Sequence, residues 1–553
     1  MKKLRKIVST ILVLAMIVTS FAACSSNKEK DTGKDTGNND GGQVTADGTK
    51  TDDSQAENPY EKKLTFTMSA IDAEKAGLTE NGEVAANYKW LCDKFNVDFE
   101  FWPLTWSNYI DQTRMWINSD SAPDIMMLDV APVRYSEYLE WVNAEMFRAY
   151  DLDKYSNLKS AYDGMITGKK FSVNDKLYAW PATMDTSTYN FTVAQGYIYR
   201  KDWAKSVGLY HDDNIYTWDE WTNLVSTVKA KDPGNNGAGN TLGIITAVNW
   251  AFPKYITGFM SPYMVSFAQD ADGSWKWGPT LPETLEAVKT VKDLYDKGII
   301  WADQPMVQDG DAKNNFAAGR LFAATAYNTT LGMMDDYRKT FEDANPEIKS
   351  EDAMDLAMIK GTDGKFLTWQ SNDQWSQTAM SHNITDEKAQ RWQDILDYLV
   401  SGDGYYFRNY GIQDVDWKYD GDQAVCLWKQ NDDGSFINPY SYGTWPWART
   451  AGNNDGFSMI DPSYPEWERN IYLNAMKIFS DESQTTIIPV NANFSFFTSD
   501  KYAQATAGLE TEVVNKIAEL MTSKDIETDW NAWVTQKSSE VTPALDELNA
   551  NVK

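Results

Sequence analysis

Histidine and cysteine are scarce in this chain, and their scarcity argues against several kinds of catalytic and metal site. The 553 residues include two histidines, His211 and His382, and three cysteines. Neither histidine lies beside a nucleophile motif, and no cysteines have the spacing of a metal site. The sequence also shows no nucleophile elbow and no phosphate-binding glycine loop. We therefore expect a binding protein and not an enzyme.

Positive charge is also in short supply. The chain has 51 Lys and Arg against 80 Asp and Glu, a formal net charge of -29. Such a surface repels nucleic acids and other polyanions but leaves uncharged ligands unaffected, so we expect no nucleic-acid partner. Aromatic residues, by contrast, are abundant at 13%, with 23 Trp and 29 Tyr. With 42% hydrophobic residues at this length, the composition predicts a folded protein of two or more lobes.

The N-terminus predicts export. Residues 1–23 combine a basic start with an apolar stretch, Ile7 to Val18, that is short for a membrane span. The small residues before Cys24 resemble a bacterial lipobox, which predicts a lipoprotein signal peptide and a lipid anchor on Cys24. A cleaved secretory signal with an incidental cysteine is the alternative. Residues 24–60 have few apolar side chains and predict a flexible tether.

The first part of the body predicts a parallel sheet. Leu64, Phe66 and Met68 alternate with polar residues, a helical pattern follows, and alternation returns from Val97. A short apolar strand, 125–128, then ends at Asp129. Ligands of open α/β sheets bind beyond the carboxyl ends of strands. This places Asp129 and the 102–106 loop at a predicted cleft rim.

Two polar connections between aromatic strands, at 183–196 and 366–376, are typical of hinge crossings between lobes. An ordinary hairpin is the alternative for the first. Between and beyond them, helices and strands alternate. Capping boxes at 217–220 and 280–283 predict two helix starts. Cys92 and Cys426 both lie in apolar patterns, which favours buried thiols over a disulfide.

An ordered set of motifs over residues 60–550 resembles the large carbohydrate-binding branch of the family 1 extracellular solute-binding proteins, which serve ABC importers. Besides the lipoprotein start, the motifs are Ala122–Ile125, Tyr197–Trp203, Tyr216–Glu220, Asp232–Gly237, Asn315–Arg320 and Asn409–Trp417. The resemblance implies an α/β periplasmic-binding-protein type II fold, with two lobes, a ligand cleft and multiple hinge crossings. It assigns 61–182 plus 372–412 to lobe 1, and 190–368 plus 413–553 to lobe 2.

The expected function is that of a monomeric, lipid-anchored substrate-binding protein on the outer face of the cytoplasmic membrane. It would capture a neutral oligosaccharide by hinge closure and deliver it to ABC permease subunits. A surface glycoside hydrolase, which needs only two suitably spaced carboxylates, and a non-catalytic glycan adhesin are the alternatives. Aromatic faces stack on sugar rings, and carboxylates and amides accept hydroxyl hydrogen bonds. The predicted ligand-binding residues are Trp106, Asp129, Trp180, Trp250, Tyr327, Asn328, Trp369, Asp373, Trp375, Trp445 and Trp447.

The loop from Asp232 to Thr241 is open to two interpretations. Relatives in the resembled family carry a calcium-type loop here, and Asp232, Asn236 and Asn240 are the predicted metal ligands. Calcium requires six to eight oxygens, and this loop retains one carboxylate. A plain Asn/Gly turn is the alternative, and we expect that no cofactor is required.

Overall fold

The computed structural model of the chain describes residues 60–71, 73–79, 81–131, 134–184, 196–246, 253–308, 310–325, 331–370, 372–431, 434–440, 450–453 and 461–553. The predicted signal peptide, Cys24 and the predicted tether up to residue 59 lie outside these residues.

Strands and helices alternate through most of the described chain. The strands are β1 (Leu64–Ile71), β2 (Val97–Leu104), β3 (Ile125–Leu128), β4 (Phe147–Arg148), β5 (Ser172–Val173), β6 (Lys176–Leu177), β7 (Ala179–Met184), β8 (Gly196–Arg200), β9 (Ile215–Thr217), β10 (Leu242–Thr246), β11 (Phe267–Gln269), β12 (Trp275–Trp277), β13 (Leu321–Thr325), β14 (Met354–Lys360), β15 (Phe366–Trp369), β16 (Gln374–Ser381), β17 (Trp417–Asp420), β18 (Gln423–Cys426), β19 (Gly452–Asn453) and β20 (Thr485–Ile488). The α-helices are α1 (Ala86–Phe95), α2 (Tyr109–Asn118), α3 (Tyr135–Asn143), α4 (Ser156–Gly164), α5 (Lys201–Ser206), α6 (Trp218–Lys231), α7 (Lys254–Thr257), α8 (Pro282–Asp296), α9 (Asp311–Ala317), α10 (Leu331–Ala344), α11 (Ser350–Ala353), α12 (Asp386–Val400), α13 (Gly402–Tyr410), α14 (Glu466–Phe479), α15 (Ala492–Ser495), α16 (Asp500–Thr506), α17 (Leu509–Leu520) and α18 (Ile526–Asn551).

The first large sheet has the strand order β19-β7-β16-β3-β1-β2, and β4 also pairs with β16. β1 is parallel to β2 and to β3, which confirms the predicted parallel β-α-β unit. β16 runs antiparallel to β3, with Gln377 opposite Leu128. The carboxyl ends of β1, β2 and β3 therefore lie at the same edge of the sheet as the first residues of β16.

The second large sheet has the order β10-β13-β8-β14-β9. β10 and β13 are parallel, whereas β8 runs antiparallel to β13 and β14. Strands of this sheet are buried on both faces: Tyr197 and Tyr199 of β8 face one hydrophobic cluster, and Ile198 faces another. Together with the first sheet, which has its own cluster around Phe66 and Trp392, this confirms the predicted α/β architecture.

The C-terminal helices belong with the second sheet. Val513 of α17 and Val541 of α18 lie in the cluster of Tyr197, and Tyr472 of α14 lies in that of Ile198. Gly452 and Asn453, however, form β19 beside β7 in the first sheet. The predicted boundary at 413 assigned all later residues to lobe 2. It did not include the pairing of β19 with β7, because β7 lies far away in the sequence.

Both predicted helices form, but only the first of the two predicted capping boxes is confirmed. Thr217 accepts a hydrogen bond from Glu220 N and donates its own N–H to the Glu220 carboxylate, which is the predicted capping box. The second helix, α8, begins at Pro282 with Leu281 as its N-cap. The Thr280 hydroxyl instead donates to the carbonyl of Trp277, because a 3-10 turn over Gly278–Thr280 precedes the helix.

The two body cysteines are unpaired thiols. Cys92 is buried, as predicted, and Cys426 is partly buried. No helix in the described part of the chain is both long and apolar enough to span a membrane.

Candidate functional site

The best-defined candidate site lies at the edge where β1, β2 and β3 end. The turn after β2 carries Trp106 and leads into α2, which begins at Tyr109, while Asp129 directly follows β3. Trp375 is the second residue of β16, which starts at the same edge. Four residues from three separate stretches of sequence therefore meet here, and three of them, Trp106, Asp129 and Trp375, were predicted site residues.

Trp106 and Trp375 form an aromatic platform at this edge. Their rings stack with centroids 6.1 Å apart and an interplanar angle of 15°. Tyr109 meets Trp106 edge to face, at 6.1 Å and 79°. Trp106 is 54% exposed, which is unusual for a tryptophan in a folded protein. An exposed ring held flat by a second ring is suited to stacking on an apolar ligand face.

Tyr109 and Asp129 supply the polar groups beside the platform. The Tyr109 hydroxyl donates a 3.0 Å hydrogen bond to Asp129 Oδ2. Burial, together with the Asp129 carboxylate, raises the pKa of the Tyr109 phenol, so that it stays protonated as a donor. The Arg134 guanidinium lies 5.6 Å from the Tyr109 ring centroid. The edge thus combines a stacking surface with groups that exchange hydrogen bonds with hydroxyls.

Tyr109 was not among the predicted residues. Its spacing from Trp106 could have identified it, because residues three positions apart at a helix start lie on the same side of the chain.

Trp369, at the end of β15, lies in a different setting. It is half-buried, and Lys254 Nζ lies 4.9 Å from its ring centroid. The Tyr255 ring meets it at 6.0 Å and 63°. Burial lowers the pKa of Lys254, which was not a predicted site residue.

The structure corrects the prediction for Trp180. Its side chain has no exposed surface, and its Nε1 donates a 3.0 Å hydrogen bond to the carbonyl of Ala451. The reason is that β7 is an inner strand between β16 and β19, so this ring packs in the core of the first sheet. In this conformation it has no face to offer to a ligand.

Asp373 has a capping role. Its carboxylate accepts hydrogen bonds from the backbone N–H groups of Ile166, Thr167 and Gly168 and from the Thr167 hydroxyl. These donors lie at the start of the 3-10 helix Gly168–Phe171. The carboxylate therefore ties the second crossing to the start of this 3-10 helix, and its contact with a ligand stays a prediction.

The Asp232 loop closes on itself. The Asp232 carboxylate accepts from Asn236 N at 3.0 Å, Gly237 N at 2.8 Å and the Thr241 hydroxyl at 2.5 Å. The Asn236 side-chain amide donates to the Thr241 hydroxyl and to the carbonyl of Gly319. The Asn240 side-chain amide donates to the carbonyl of Asn236. Among the described residues, no group of three or more acidic, histidine or cysteine side chains is arranged to hold a metal ion. The calcium loop and the plain Asn/Gly turn both stay predictions for this segment.

The remaining predicted ligand residues, Trp250, Tyr327, Asn328, Trp445 and Trp447, lie outside the described residues. The strands that precede the first three, β10 and β13, end at Thr246 and Thr325. Thr246 N donates to Gln304 Oε1 at 2.8 Å, and the Thr325 hydroxyl donates to the carbonyl of Gly196 at 3.0 Å. Both strand ends are thus held by buried hydrogen bonds.

Comparisons with known proteins agree with this architecture. No protein-family model matches the sequence. The chain is 24% identical over 336 residues to the lipoprotein LipO of Bacillus subtilis (strain 168), a match that spans 56% of this chain and 62% of that protein, less than two thirds of its length.

Solved structures match over more of the chain. The alginate-binding protein AlgQ2 without calcium is similar at 14% identity and a TM-score of 0.60, covering 89% of this chain and 98% of that one. The S. pneumoniae ABC-transporter substrate-binding protein FusA in complex with kestose is similar at 14% identity and a TM-score of 0.60, covering 88% of this chain and 98% of that one. An HMO-binding, ABC-transporter-associated solute-binding protein from Bifidobacterium longum infantis is similar at 13% identity and a TM-score of 0.57, covering 88% of this chain and 98% of that one. The predicted resemblance to extracellular solute-binding proteins is confirmed at the level of the fold.

Proposed function

We propose that this chain is the substrate-binding lipoprotein of an ABC importer and that it captures a neutral oligosaccharide. In this proposal, the ligand binds to one lobe first, hinge closure buries it, and the closed form delivers it to permease subunits in the membrane. The protein acts as a monomer without catalysis. The lipid on Cys24 holds it at the outer face of the cytoplasmic membrane, and residues 24–60 tether the folded body.

The observation that carries this proposal is the aromatic platform at the carboxyl edge of the first sheet. The exposed ring of Trp106 stacks on the partly buried ring of Trp375, and Tyr109 and Asp129 lie beside them with a hydroxyl and a carboxylate. This arrangement suits a sugar, because the C–H groups on one side of a pyranose ring can stack on the aromatic rings and the hydroxyls at its rim can exchange hydrogen bonds with Tyr109 and Asp129. The fold shared with sugar-binding transport proteins supports the same ligand class.

An uncharged ligand is favoured by the charge of the chain. Its net charge of -29 disfavours the approach of polyanions, and Asp129 adds a carboxylate at the platform itself. Acidic glycans remain the competing ligand class, because one structural neighbour is an alginate-binding protein. Lipid anchoring rests on the lipobox-like sequence before Cys24 and on the similarity to the lipoprotein LipO.

The test is calorimetric titration of residues 60–553 with neutral oligosaccharides and with uronate oligosaccharides of matched length. We expect saturable one-to-one binding of one neutral class. Trp106→Ala should weaken that binding by about 1–3 kcal/mol, roughly 5- to 150-fold, since it removes the exposed stacking face. Tyr419→Ala is the matched control, because Tyr419 is also exposed, at 43%, but lies on the β17–β18 hairpin.

Two outcomes would contradict the proposal. Binding of uronates alone would refute the neutral ligand class, and unchanged affinity in Trp106→Ala would refute the platform as the binding surface. The glycoside hydrolase alternative is tested in the same samples by assaying for new reducing ends, which a binding protein does not produce.

A further inference from the structure

A cavity of about 370 Å³ lies on the second sheet, beside helix α14. Its volume falls in the range of small-molecule sites. Leu356 and Met358 of β14 form a buried apolar floor, and Trp467 and Ile471 of α14 are half-buried along one side. None of the predicted ligand-binding residues lines it.

The cavity lies along β14, on the second sheet. In the pairing of β14 with β8, Asp355 lies opposite Tyr199 and Met354 opposite Arg200, the last residue of β8. Met358, which is also part of the cavity floor, lies opposite Gly196, the first residue of β8. The cavity therefore extends along most of the length of β14.

Polar groups surround the apolar floor. Lys201 Nζ and Asp355 Oδ2 form an ion pair at 3.2 Å, with side chains 12% and 5% exposed. The amide oxygen of Asn214 accepts from the Tyr199 hydroxyl at 2.5 Å, which fixes the orientation of that side chain. Charged pairs held in partly buried settings make strong, directional partners for hydroxyl groups.

Three further groups of the cavity face it without a hydrogen-bond partner among the described residues. Asn470 and Asn474 lie one turn apart on α14, with exposed amides. The Trp467 indole N–H also donates to no described residue, although it lines the same wall. Each amide can donate and accept, so together they match a ligand whose rim carries several hydroxyls.

We propose that this cavity is a second carbohydrate site, which takes a single neutral sugar unit with a ring face on Trp467 and its hydroxyls on Asn470, Asn474 and the Lys201–Asp355 pair. An anionic unit is disfavoured because Glu351 and Asp355 outnumber Lys201 around the cavity. A glycan held at two points on one protein gains effective concentration at the first site. The second site would thus retain long glycans near the cleft, but its existence does not depend on what the cleft binds.

The experiment uses saturation-transfer NMR with millimolar glucose, galactose, mannose, fructose and N-acetylglucosamine on residues 60–553. The background is Trp106→Ala, which weakens the platform. We expect at least one sugar to give a saturable signal that the added double change Asn470→Ala/Asn474→Ala weakens at least tenfold. The matched control adds Asn531→Ala, an exposed asparagine of α18 far along the chain, and should leave the signal unchanged.

The double variant should remain folded, because both positions are exposed and alanine favours a helix more than asparagine does. Its thermal melting checks this. The absence of a saturable signal for every sugar in the panel, or an equal signal in the double variant and the Asn531 control, would overturn the second site. Failure of the proposed cleft function would give a different result. Wild type and Trp106→Ala would then bind oligosaccharides equally, while the NMR signal that depends on Asn470 and Asn474 would persist.

Discussion

Glu468 of α14 should make the stability of this protein fall as the pH rises from 6 to 8. The residue has no exposed surface, and its Oε2 accepts a 3.0 Å hydrogen bond from Arg338 Nε. Its other oxygen, Oε1, has no hydrogen-bond partner among the described residues. Arg338 also donates to Asp335 and Glu342, so that one guanidinium faces three carboxylates. Burial raises the pKa of Glu468 from 4.5 to about 8, against the attraction of Arg338.

The direction of the effect follows from proton binding. In the unfolded chain this carboxyl loses its proton near pH 4.5, whereas in the folded chain it holds it up to about pH 8. The folded state therefore binds more protons across this window, and the free energy of unfolding decreases as the pH rises through it. Each pH unit corresponds to about 1.4 kcal/mol, so the window from pH 6 to 8 amounts to about 2–3 kcal/mol.

The perturbation is Glu468→Gln, which keeps an amide oxygen for Arg338 but removes the titration. Between pH 6 and 8, the wild type should lose roughly 2–5 °C more in melting temperature than the variant does, as measured by scanning fluorimetry. Glu466→Gln is the control, because Glu466 lies in the first turn of the same helix but is exposed. Equal pH slopes in wild type and Glu468→Gln would refute the argument that burial has moved this group into the window.

Three other predictions concern stability. Trp180→Phe should destabilise the first sheet by about 1–3 kcal/mol, since it leaves the Ala451 carbonyl unpaired and opens a gap in the core, while ligand affinity stays unchanged; an unaltered melting temperature would contradict this. Asp373→Ala should lower stability by about 1–2 kcal/mol, because the Thr167 hydroxyl and neighbouring amides lose their acceptor; thermal melting by circular dichroism checks it against Asp363→Ala. Millimolar calcium and EDTA should give the same melting temperature, because the Asp232 carboxylate already accepts three hydrogen bonds within its loop; a rise with calcium that disappears in Asp232→Ala would show that the loop binds the ion.

Local periodicity predicts the elements of this fold well, because a strand or an amphipathic helix leaves its pattern within a few residues. The unit from Leu64 to Leu104 and the capping box at Thr217 are examples. The fate of a single side chain depends on distant partners. Trp180 is buried because β16 and β19 flank its strand, and both come roughly 200 or more residues later. At the candidate site, the position of Asp129 after the predicted strand correctly placed it at the sheet edge. The stacking of Trp106 on Trp375 joins two distant stretches of sequence, so neither stretch alone predicts it.

The strand order of the first sheet has a consequence for the proposed export of this protein. One side of this sheet comes from three separate passes of the chain, with the inner strands β7 at Ala179–Met184 and β16 at Gln374–Ser381 and the edge strand β19 at Gly452–Asn453. Such long-range pairing makes folding slow. In the proposed export, a chain that crosses the membrane from its N-terminus cannot complete this sheet until more than 450 residues have emerged. The early strands would wait for their partners during that time, and a chain that stops short of β19 would leave β7 as the unpaired edge strand of the sheet.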